Sequence, residues 1–474
     1  MKNATPGRVF FGILLGMSGG HTPAKKTPLQ KWFDLHEWIK WIGEWGISRG
    51  MFLSILFVGL YMTLSLEIEN LPLFTLLWLA GTAPVWLPVA LYLAAWRAWA
   101  HYVRSKFLAE QKDILLEVRI PRDIFKSPRA MEMVFNNFAN LTSGEVNFIP
   151  RAWKGSVRPP FSFELASFGG EVHMFIWCWA AYRKHVETSV YSQYPEVEIV
   201  EVEDYAKKFI FDHHAQAVFV TEFAYKHDDT IPMKSYIDFE LDKDPKEEFK
   251  IDPIASVFEY LSSLQSYEQV WVQIVLRHGG ATGGPFFMKK NDWVDRAKKT
   301  VQDIRKAASL NPGKEDAPDS DEDKFGFPRP TWKETEQIRA IERHMGKHLF
   351  EVGFRGIYIS TGGASGPTIN GLRLLWRPFN APEFLNAINP SHGHNIFDWP
   401  WQDFHAVRRN HESHLNLDAY WRRSFFYPPW PQHTQLMSSE SLATIYRFPS
   451  RTVAAPGLGR ILATKASAPS NLPR

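Results

Sequence analysis

The sequence predicts an α+β protein, in which an N-terminal two-helix transmembrane hairpin is followed by tandem ferredoxin-like (βαββαβ) cytoplasmic domains. Two observations predict this class. Residues 51–96 are nearly without charge, and from about Ile114 strand-like and helix-like patterns alternate. The 474 residues suffice for two or three domains. The expected parts are an N-terminal tail with an interfacial helix (1–49), the hairpin (50–103), a first ferredoxin-like domain (104–230), a second with an acidic insertion (231–390), an aromatic and histidine-rich interaction region (391–447) and a Pro/Ser-rich tail (448–474).

Two apolar runs on either side of a short acidic loop predict the hairpin. They are Met51–Leu66 and Leu71–Trp96, and the glutamates of the loop are the only charges in between. A helix needs about 20 apolar residues to cross a bilayer core. The second run meets this requirement alone, and the first meets it only if Gly46–Arg49 lies at headgroup depth. The alternative is a pair of buried helices in a soluble core, but a core helix normally keeps one polar face.

Basic residues predict the orientation of the hairpin. They precede the first run and follow the second, whereas the loop has no Lys or Arg. The positive-inside rule therefore places both flanks of the hairpin, and with them both termini, in the cytoplasm and the hairpin tip outside. The segment Trp32–Trp45 has apolar residues at helical spacing and predicts an amphipathic helix on the membrane surface.

The first soluble domain follows from alternating patterns. Strand-like runs start at Ile114, at Phe161 and after the Gly-Gly turn, and Glu196–Tyr205 alternates acidic and apolar residues. Ser127 is placed to cap a helix that has Pro128 in its first turn. A second helix ends before Pro195. The order β-α-β-β-α-β is that of the ferredoxin-like plait.

The second domain is expected to repeat this plan. Its predicted strands are Ser235–Asp242, Glu268–Arg277 and Phe350–Ser360, with a capping box at Thr331 and Glu334. Between the second and third strands comes the acidic, proline-bearing insertion Asn311–Gly326. Pro382–Ile388 is expected to be a last short helix. No periodicity remains after about Phe448, so regular structure is not expected there.

Composition restricts the possible chemistry. The net charge of +3 gives no strong field that would attract nucleic acid. A single cysteine, Cys178, excludes an internal disulfide and any multi-cysteine zinc site, and its apolar surroundings predict a buried thiol. The Gly-rich stretch Gly362–Gly366 lacks the Lys-Ser/Thr pair and the following amphipathic helix of a phosphate-binding loop, so we interpret it as a plain loop.

A histidine-rich stretch gives a candidate metal site. His411 and His414 form a His-x₂-His pair with Glu412 between them, and His405 precedes it as a third ligand. The spacing is not that of the HExxH metalloproteases, so the signal is weak. A membrane-bound metal hydrolase that uses these four residues remains an alternative function.

An aromatic and basic stretch gives a candidate interaction surface. Aromatic residues that alternate with arginines stack on single-stranded nucleic acid, and they also form hot spots of protein interfaces. The balanced net charge favours the protein interface, and a nucleic-acid-binding membrane component remains a second alternative. The residues are Arg408, Arg409, Trp421, Arg422, Arg423, Phe425, Phe426 and Tyr427.

Three stretches resemble proteins of bacterial conjugation. Ile114–Phe135 with Val186–Tyr205 resembles the membrane-proximal module of type IV secretion-like proteins, in which ferredoxin-like domains follow a membrane hairpin. Asp252–Arg277 resembles a part of the related DNA-transfer ATPases that precedes the motor. Ser438–Pro473 is similar to the segment that leads into their motor domain, and its matching positions are Glu440, Leu442, Ala443, Thr444, Phe448, Pro449, Asn471, Leu472 and Pro473.

The resemblance extends over roughly Ile114–Pro473, and the Walker lysine has no counterpart in the sequence. It implies a membrane-anchored relative without a motor, which relies on ATP hydrolysis by a separate chain. The expected function is therefore a non-enzymatic inner-membrane platform of a type IV secretion-like machine. Its expected partners are the lipid bilayer, a motor ATPase in trans, other secretion subunits and further copies of itself. We assign no catalytic residue, no cofactor and no metal ligand.

Overall fold

The computed structural model describes residues 49–68, 70–121, 126–141, 149–243, 252–279, 281–282, 291–310, 330–381, 383–394, 401, 403–427, 430–449 and 457–461. The expected helix Trp32–Trp45 and the acidic insertion Asn311–Gly326 lie outside these residues. The chain divides into two compact units. One comprises residues 1–101 and 395–412, and the other comprises residues 102–394 and 413–474.

Helices and strands alternate along the described chain. Short 3₁₀ segments occur at Ala180–Tyr182, Arg377–Phe379 and Phe404–Ala406, and a π turn at Pro150–Lys154. The elements in chain order are α1 (Arg49–Glu67), α2 (Leu71–Glu110), β1 (Asp113–Pro121), α3 (Pro128–Leu141), β2 (Phe161–Phe168), β3 (Glu171–Trp179), α4 (Arg183–Gln193), β4 (Glu198–Val202), α5 (Tyr205–Lys208), β5 (Ala217–Tyr225), α6 (Ile254–Ser262), β6 (Glu268–His278), β7 (Ala281–Thr282), β8 (Asn291–Asp292), α7 (Trp293–Leu310), α8 (Trp332–Met345), β9 (Leu349–Ser360), α9 (Gly366–Arg373), β10 (Ile388–His394), α10 (Val407–Trp421), β11 (Gln435–Ser438), α11 (Ser439–Ile445) and β12 (Arg460–Ile461).

The expected α+β class is confirmed. One sheet of ten strands runs in the order β10–β5–β9–β6–β2–β3–β1–β12, with β11 beside β9 and β4 beside β1. All of its pairs are antiparallel except β1 with β12. The residues from 102 onward therefore build a mainly antiparallel sheet with helices packed against it.

The first half of the sheet contains the strands and helices that the sequence predicts. In space β4, β1, β3 and β2 lie side by side in that order, with α3 between β1 and β2 in the chain and α4 between β3 and β4. The amide of Arg129 donates to Ser127 Oγ at 3.4 Å, which agrees with the expected cap. Gly169 and Gly170 have φ values of 62° and 95°, so the β2–β3 turn uses the left-handed conformation that glycine adopts readily.

The second half differs from the expectation in two elements. The predicted strand Ser235–Asp242 is wrong, because the carboxylate of Asp238 accepts hydrogen bonds from both the amide and the hydroxyl of Ser235, and the chain turns there. The strand that occupies its place is β5. The predicted helix Pro382–Ile388 is also wrong, since Ile388 begins β10, which pairs with β5. Pro382 itself is outside the described residues.

The two halves join edge to edge. Strands β2 and β6 pair antiparallel from Phe161 opposite Leu276 to Phe168 opposite Gln269. The second half has the spatial order β10–β5–β9–β6, and the helices α7 and α8 are inserted between β6 and β9 in the chain. The predicted capping box at the start of α8 is confirmed, because Thr331 and Glu334 bond each other's backbone amides.

Apolar side chains cover both faces of the sheet, so its central strands are buried. On one face Phe135, Phe163, Phe258 and Tyr446 belong to the main core, which includes residues of α3, α4, α6 and α11. On the other face the core contains Trp177, Trp271 and Tyr420 among others. The sheet alternates between these two cores because successive strand residues point to opposite faces.

The C-terminal segment is part of this body. All seven residues of α11 are buried, and they pack against α3 and the sheet. The sequence predicted no regular structure after Phe448, but β12 pairs parallel to the end of β1. Residues 450–456 and 462–474 lie outside the described part.

Candidate functional site

The long helix α2 exposes its apolar side chains. An 18-residue window of this helix has a mean hydropathy of 1.6, and none of it is buried. Among the described residues, α2 is the one helix that is long and apolar enough to cross a membrane. Pro84 and Pro88 lie inside it, and such prolines are tolerated in membrane helices. By length and composition, α2 is thus a candidate membrane span.

The helix α1 is shorter, and only Leu56–Glu67 qualifies as an apolar segment. It precedes α2 with a turn between them, in which Asn70 adopts a φ of 66°. The Tyr61 hydroxyl lies 3.0 Å from Thr75 Oγ1 and links the two helices. A single polar contact of this kind helps to hold helices together where water is excluded.

The basic end of α2, from Tyr102 onward, belongs to the compact unit that contains the sheet. Val103 is buried, and the ring of Phe107 packs edge-on against Trp179 with ring centroids 6.0 Å apart. Trp179 ends β3, and the Trp177 indole nearby donates to the carboxylate of Asp113 at 2.9 Å. The last turns of the helix are therefore attached to the sheet.

The candidate histidine site is dispersed. His411 and His414 are exposed on α10, where His414 packs its ring against Phe211. His405 lies in the 3₁₀ turn before the helix. In the described part of the chain, no group of three or more His, Cys, Asp or Glu side chains is arranged to hold a metal ion. The spacing of these histidines was a weak signal for a metal site, and the described residues do not show a matching arrangement of ligands.

The aromatic and basic stretch separates into three environments. Arg408 and Arg409 are exposed at the start of α10. Arg422 is half-exposed, pairs with Asp418 and stacks on the Trp421 ring. The remaining members are buried or half-buried in the body of the protein, and they are Arg423, Phe425, Phe426 and Tyr427. The stretch as a whole is consequently not one continuous surface.

Arg423 forms the centre of a buried ionic cluster. Its Nε and Nη2 donate to the two carboxylate oxygens of Glu164 at 3.0 and 3.1 Å, and it also pairs with Asp204. The side chains of Arg423 and Glu164 are fully buried. The hydroxyl of Tyr205 donates to Glu164 at 2.8 Å, and Gln273 donates to it at 3.1 Å. The paired charges thus satisfy each other in an apolar core, as buried charges must.

The electrostatics of this cluster agree with its geometry. Burial alone would raise the pKa of Glu164, but the charge and hydrogen bonds of Arg423 lower it. Burial lowers and the carboxylate of Glu164 raises the pKa of Arg423, with a net value well above the usual range. Burial and the Glu164 charge hold the pKa of Tyr205 well above its normal value. The pair is therefore ionised, and the phenol stays protonated.

The same face carries a row of polar side chains across the sheet. Glu164 lies opposite Gln273, Gln273 opposite Arg355, and Arg355 opposite Glu222. Arg355 is fully buried and lies 3.3 Å from Glu222, with its guanidinium carbon 5.1 Å from the Phe425 ring. These groups fix the position of the segment that follows α10 on the sheet.

A second buried cluster holds α11 in place. The carboxylate of Glu440 is fully buried and lies 3.0 Å from Arg343 Nε and 3.4 Å from His344 Nε2. Lys347 pairs with Glu132 of α3 at 2.6 Å and with Glu440 at 3.6 Å. Burial raises the pKa of Glu440, but His344, Ser235 and Arg343 lower it to about 2. Glu440 therefore joins α8 to α11 as a carboxylate.

The Gly-rich stretch Gly362–Gly366 is a loop, as expected, but a helix does follow it. Helix α9 begins at Gly366 and buries Leu372 on one side, whereas no amphipathic helix was expected after this stretch. The buried carboxylate of Glu268 accepts hydrogen bonds from Tyr358 at 2.9 Å and from Thr368 at 3.0 Å beside this loop. A negative charge at this position opposes phosphate binding.

One shallow depression lies at the edge of the sheet beside β4. Its volume is about 770 Å³, and its lining includes Asp113, Glu201, Asp204 and Lys207. Lys207 pairs with Asp113 at 2.6 Å. Glu203 and Lys208 complete the charged lining, which therefore has four carboxylates and two lysines and is acidic overall.

Sequence reasoning missed the two buried clusters. Glu164, Arg355 and Glu222 each stand in the middle of a mainly apolar strand, and this signal was available in the sequence. The partners of these residues could not be identified from the sequence, because Arg423, for example, is 259 positions from Glu164. A scan against models of protein families finds no match, and a search of curated proteins finds none either.

Proposed function

We propose that this protein is a non-enzymatic inner-membrane platform, which docks a separate motor ATPase of a type IV secretion-like or DNA-transfer machine. The observation that carries the proposal is α2, whose apolar window is unburied over its whole length. Its basic end is attached to a large sheet through Phe107 and Trp179. A helix that joins a bilayer to a rigid body is what a platform requires.

We propose two membrane spans, with both termini in the cytoplasm. The link between Tyr61 and Thr75 supports two helices that cross together, although α1 is short for a span of its own. Lysines and arginines lie on both flanks and are missing from the loop in the sequence. This asymmetry supports a loop outside the cell and a body inside it.

We propose further that the body consists of two ferredoxin-like plaits that share one sheet. The support is the matching spatial order of the two halves, β4–β1–β3–β2 and β10–β5–β9–β6. In each half the first and second strands of the plait are separated in the chain by a helix, as the plait demands. The shared edge between β2 and β6 makes the two plaits one mechanical unit.

The platform role is supported by where the ionisable groups lie. The buried carboxylates of Glu164 and Glu440 sit in ion pairs inside the fold. Such pairs stiffen a body and fix one packing arrangement rather than supply a general acid or base. A stiff body transmits movement from a motor to the membrane without absorbing it.

The test is capture of the motor by the intact membrane protein. The full-length chain, affinity-tagged and extracted in mild detergent from its own source, is expected to retain a hexameric ATPase. The matched control is an unrelated two-span protein extracted in the same way. If no ATPase is retained when the membrane complex stays intact, the platform proposal is wrong.

A further inference from the structure

The start of α10 presents a cluster of exposed apolar side chains. Trp401, Phe404 and Val407 are 47%, 69% and 65% exposed. Arg408 and Arg409 follow directly and are exposed as well. We refer to Trp401 together with residues 403–409 as the 401–409 turn. It combines large apolar groups with two arginines and one carboxylate, that of Asp403, on a short piece of chain.

The 401–409 turn is held in a costly backbone conformation. His405 and Ala406 both have a φ of 58°, a region that non-glycine residues rarely occupy. The carboxylate of Asp403 accepts hydrogen bonds from the amides of Arg408 at 2.9 Å and Arg409 at 3.1 Å, which caps α10. Strained residues of this kind persist only where the surrounding structure holds them in place, and they cluster at functional sites.

The turn belongs to the same compact unit as the apolar helices. Residues 395–412 group with residues 1–101, and the remainder of α10 groups with the sheet. An exposed Trp and Phe next to arginines is the composition of a protein surface that lies in the headgroup layer of a membrane. The apolar rings enter the acyl boundary, and the arginines stay with the lipid phosphates.

We propose that the 401–409 turn is a second membrane contact, which inserts Phe404, Val407 and Trp401 into the headgroup layer of an anionic bilayer. The proposal rests on the membrane anchoring proposed above. The two arginines favour an anionic over a neutral surface, because the negative potential of such a surface attracts basic residues. The contact gives the chain a further attachment to the membrane. Phe404 follows Glu110, the last residue of α2, by more than 290 positions in the chain.

The test places a fluorescent probe on the full-length protein in lipid nanodiscs. Phe404→Cys is labelled with an environment-sensitive dye, and the native Cys178 is buried and serves as the unlabelled background. Nitroxide lipids with the spin label at the headgroup or deep in the acyl chain then quench the dye according to depth. Val85→Cys, in α2 and 76% exposed, reports anchoring, and Trp332→Cys, 66% exposed in the other unit, is the matched control.

We expect the Phe404 probe to lose roughly half of its fluorescence to the headgroup nitroxide in anionic nanodiscs, as an interfacial side chain would. Arg408→Gln with Arg409→Gln should abolish the difference between anionic and neutral lipid. If the Phe404 probe is not quenched while the Val85 probe is, the inference is overturned and the membrane anchoring stands. Equal quenching in both lipids overturns the role of the arginines.

Two further results complete the test. If neither the Phe404 nor the Val85 probe is quenched, the membrane anchoring itself fails, and this inference fails with it. Val407→Cys repeats the measurement three residues further along the chain, so that poor folding of the Phe404 variant does not decide the result. Quenching of the Trp332 probe to the same extent as the Phe404 probe would mean that the contact is not specific, and this also overturns the inference.

Discussion

Arg423 and Glu164 form a bidentate ion pair inside the protein, although 259 positions separate them in the chain. The guanidinium reaches both carboxylate oxygens, at 3.0 and 3.1 Å, from a residue whose own φ is 51°. This pair fastens the end of α10 to the middle of the sheet. It also explains why Glu164 is accepted in a central strand, since an unpaired carboxylate there would be very unfavourable.

Loss of Arg423 should therefore destabilise the protein strongly. Arg423→Met leaves the fully buried Glu164 without its cation, and breaking a buried pair of this kind costs about 3–5 kcal/mol. The measurement is the free energy of unfolding in urea, followed by tryptophan fluorescence in detergent. The control is Arg422→Met, which removes a half-exposed pair with Asp418 and should cost about 0–1 kcal/mol. Equal stability of the two variants would contradict the prediction.

Periodicity was sufficient for the first half of the sheet but not for the second. The first plait has strands with clear alternation, a Gly-Gly turn and a Pro-initiated helix, and all of these signals are local. The stretch Ser235–Asp242 alternates just as well, yet it turns because Asp238 bonds Ser235 and Arg343. Local hydrogen bonds of short polar side chains compete with strand formation and leave no trace in hydropathy.

The candidate site shows the same limit. The exposed apolar helix could be read from composition, because absence of charge over a long run is a property of the sequence alone. The buried clusters could not, because they depend on which distant strands pair. Glu440 was recognised as part of a motif, but its role in joining α8 to α11 requires Arg343 and His344. Its neighbours in sequence give no indication of them.

Glu440 should make stability depend on pH in the acidic range. Its pKa falls from 4.5 to about 2 in the folded protein, so its ionised form stabilises the fold. That contribution is fully present above about pH 4.5 and is lost as the pH falls towards 2. Glu440→Gln should lower the free energy of unfolding at pH 7 by about 3–5 kcal/mol. The difference in the free energy of unfolding between variant and wild type should then become smaller as the pH falls from about 4.5 to 2.

Urea unfolding at several pH values measures this difference. Glu383→Gln is the control, because Glu383 is an exposed residue that pairs with Lys333 at the surface. Its difference from the wild type should stay small at every pH. A difference for Glu440→Gln that does not change with pH would show that this carboxylate is not the source of the acid sensitivity.

Gly353 should not tolerate a side chain. A Cβ at this position would lie 2.2 Å from two carbons of the Phe425 ring, so Gly353→Ala forces that ring away from the sheet. Overpacking of this kind costs about 1–3 kcal/mol. Thermal unfolding should show a lower midpoint for Gly353→Ala than for the wild type. The control Gly366→Ala should not lower the midpoint, because no atom lies within 4 Å of a Cβ at that position. A second change, Phe425→Leu, should recover part of the loss in Gly353→Ala. No recovery would mean that the ring is not the obstacle.

The thiol of Cys178 should be inert in the folded protein. Burial raises its pKa from 9.0 to about 12, and the thiolate is the reactive form. A maleimide at neutral pH should label the native protein very slowly and the urea-unfolded protein at once. Trp332→Cys, with the new thiol at an exposed position, gives the rate for an accessible thiol. Fast labelling of the native wild type would contradict the burial of β3 in the core.

A charge in the middle of α2 should release the protein from the membrane. Val85 is 76% exposed within the apolar window, and an arginine at the centre of a span costs about 2.5–3.5 kcal/mol on insertion scales. Val85→Arg should therefore reduce the fraction that resists carbonate extraction. Leu374→Arg adds the same charge at a residue of the other unit that is 50% exposed, and it should leave that fraction unchanged. If the wild-type chain is monodisperse in the soluble fraction without detergent, α2 does not cross a bilayer, and the platform loses its anchor.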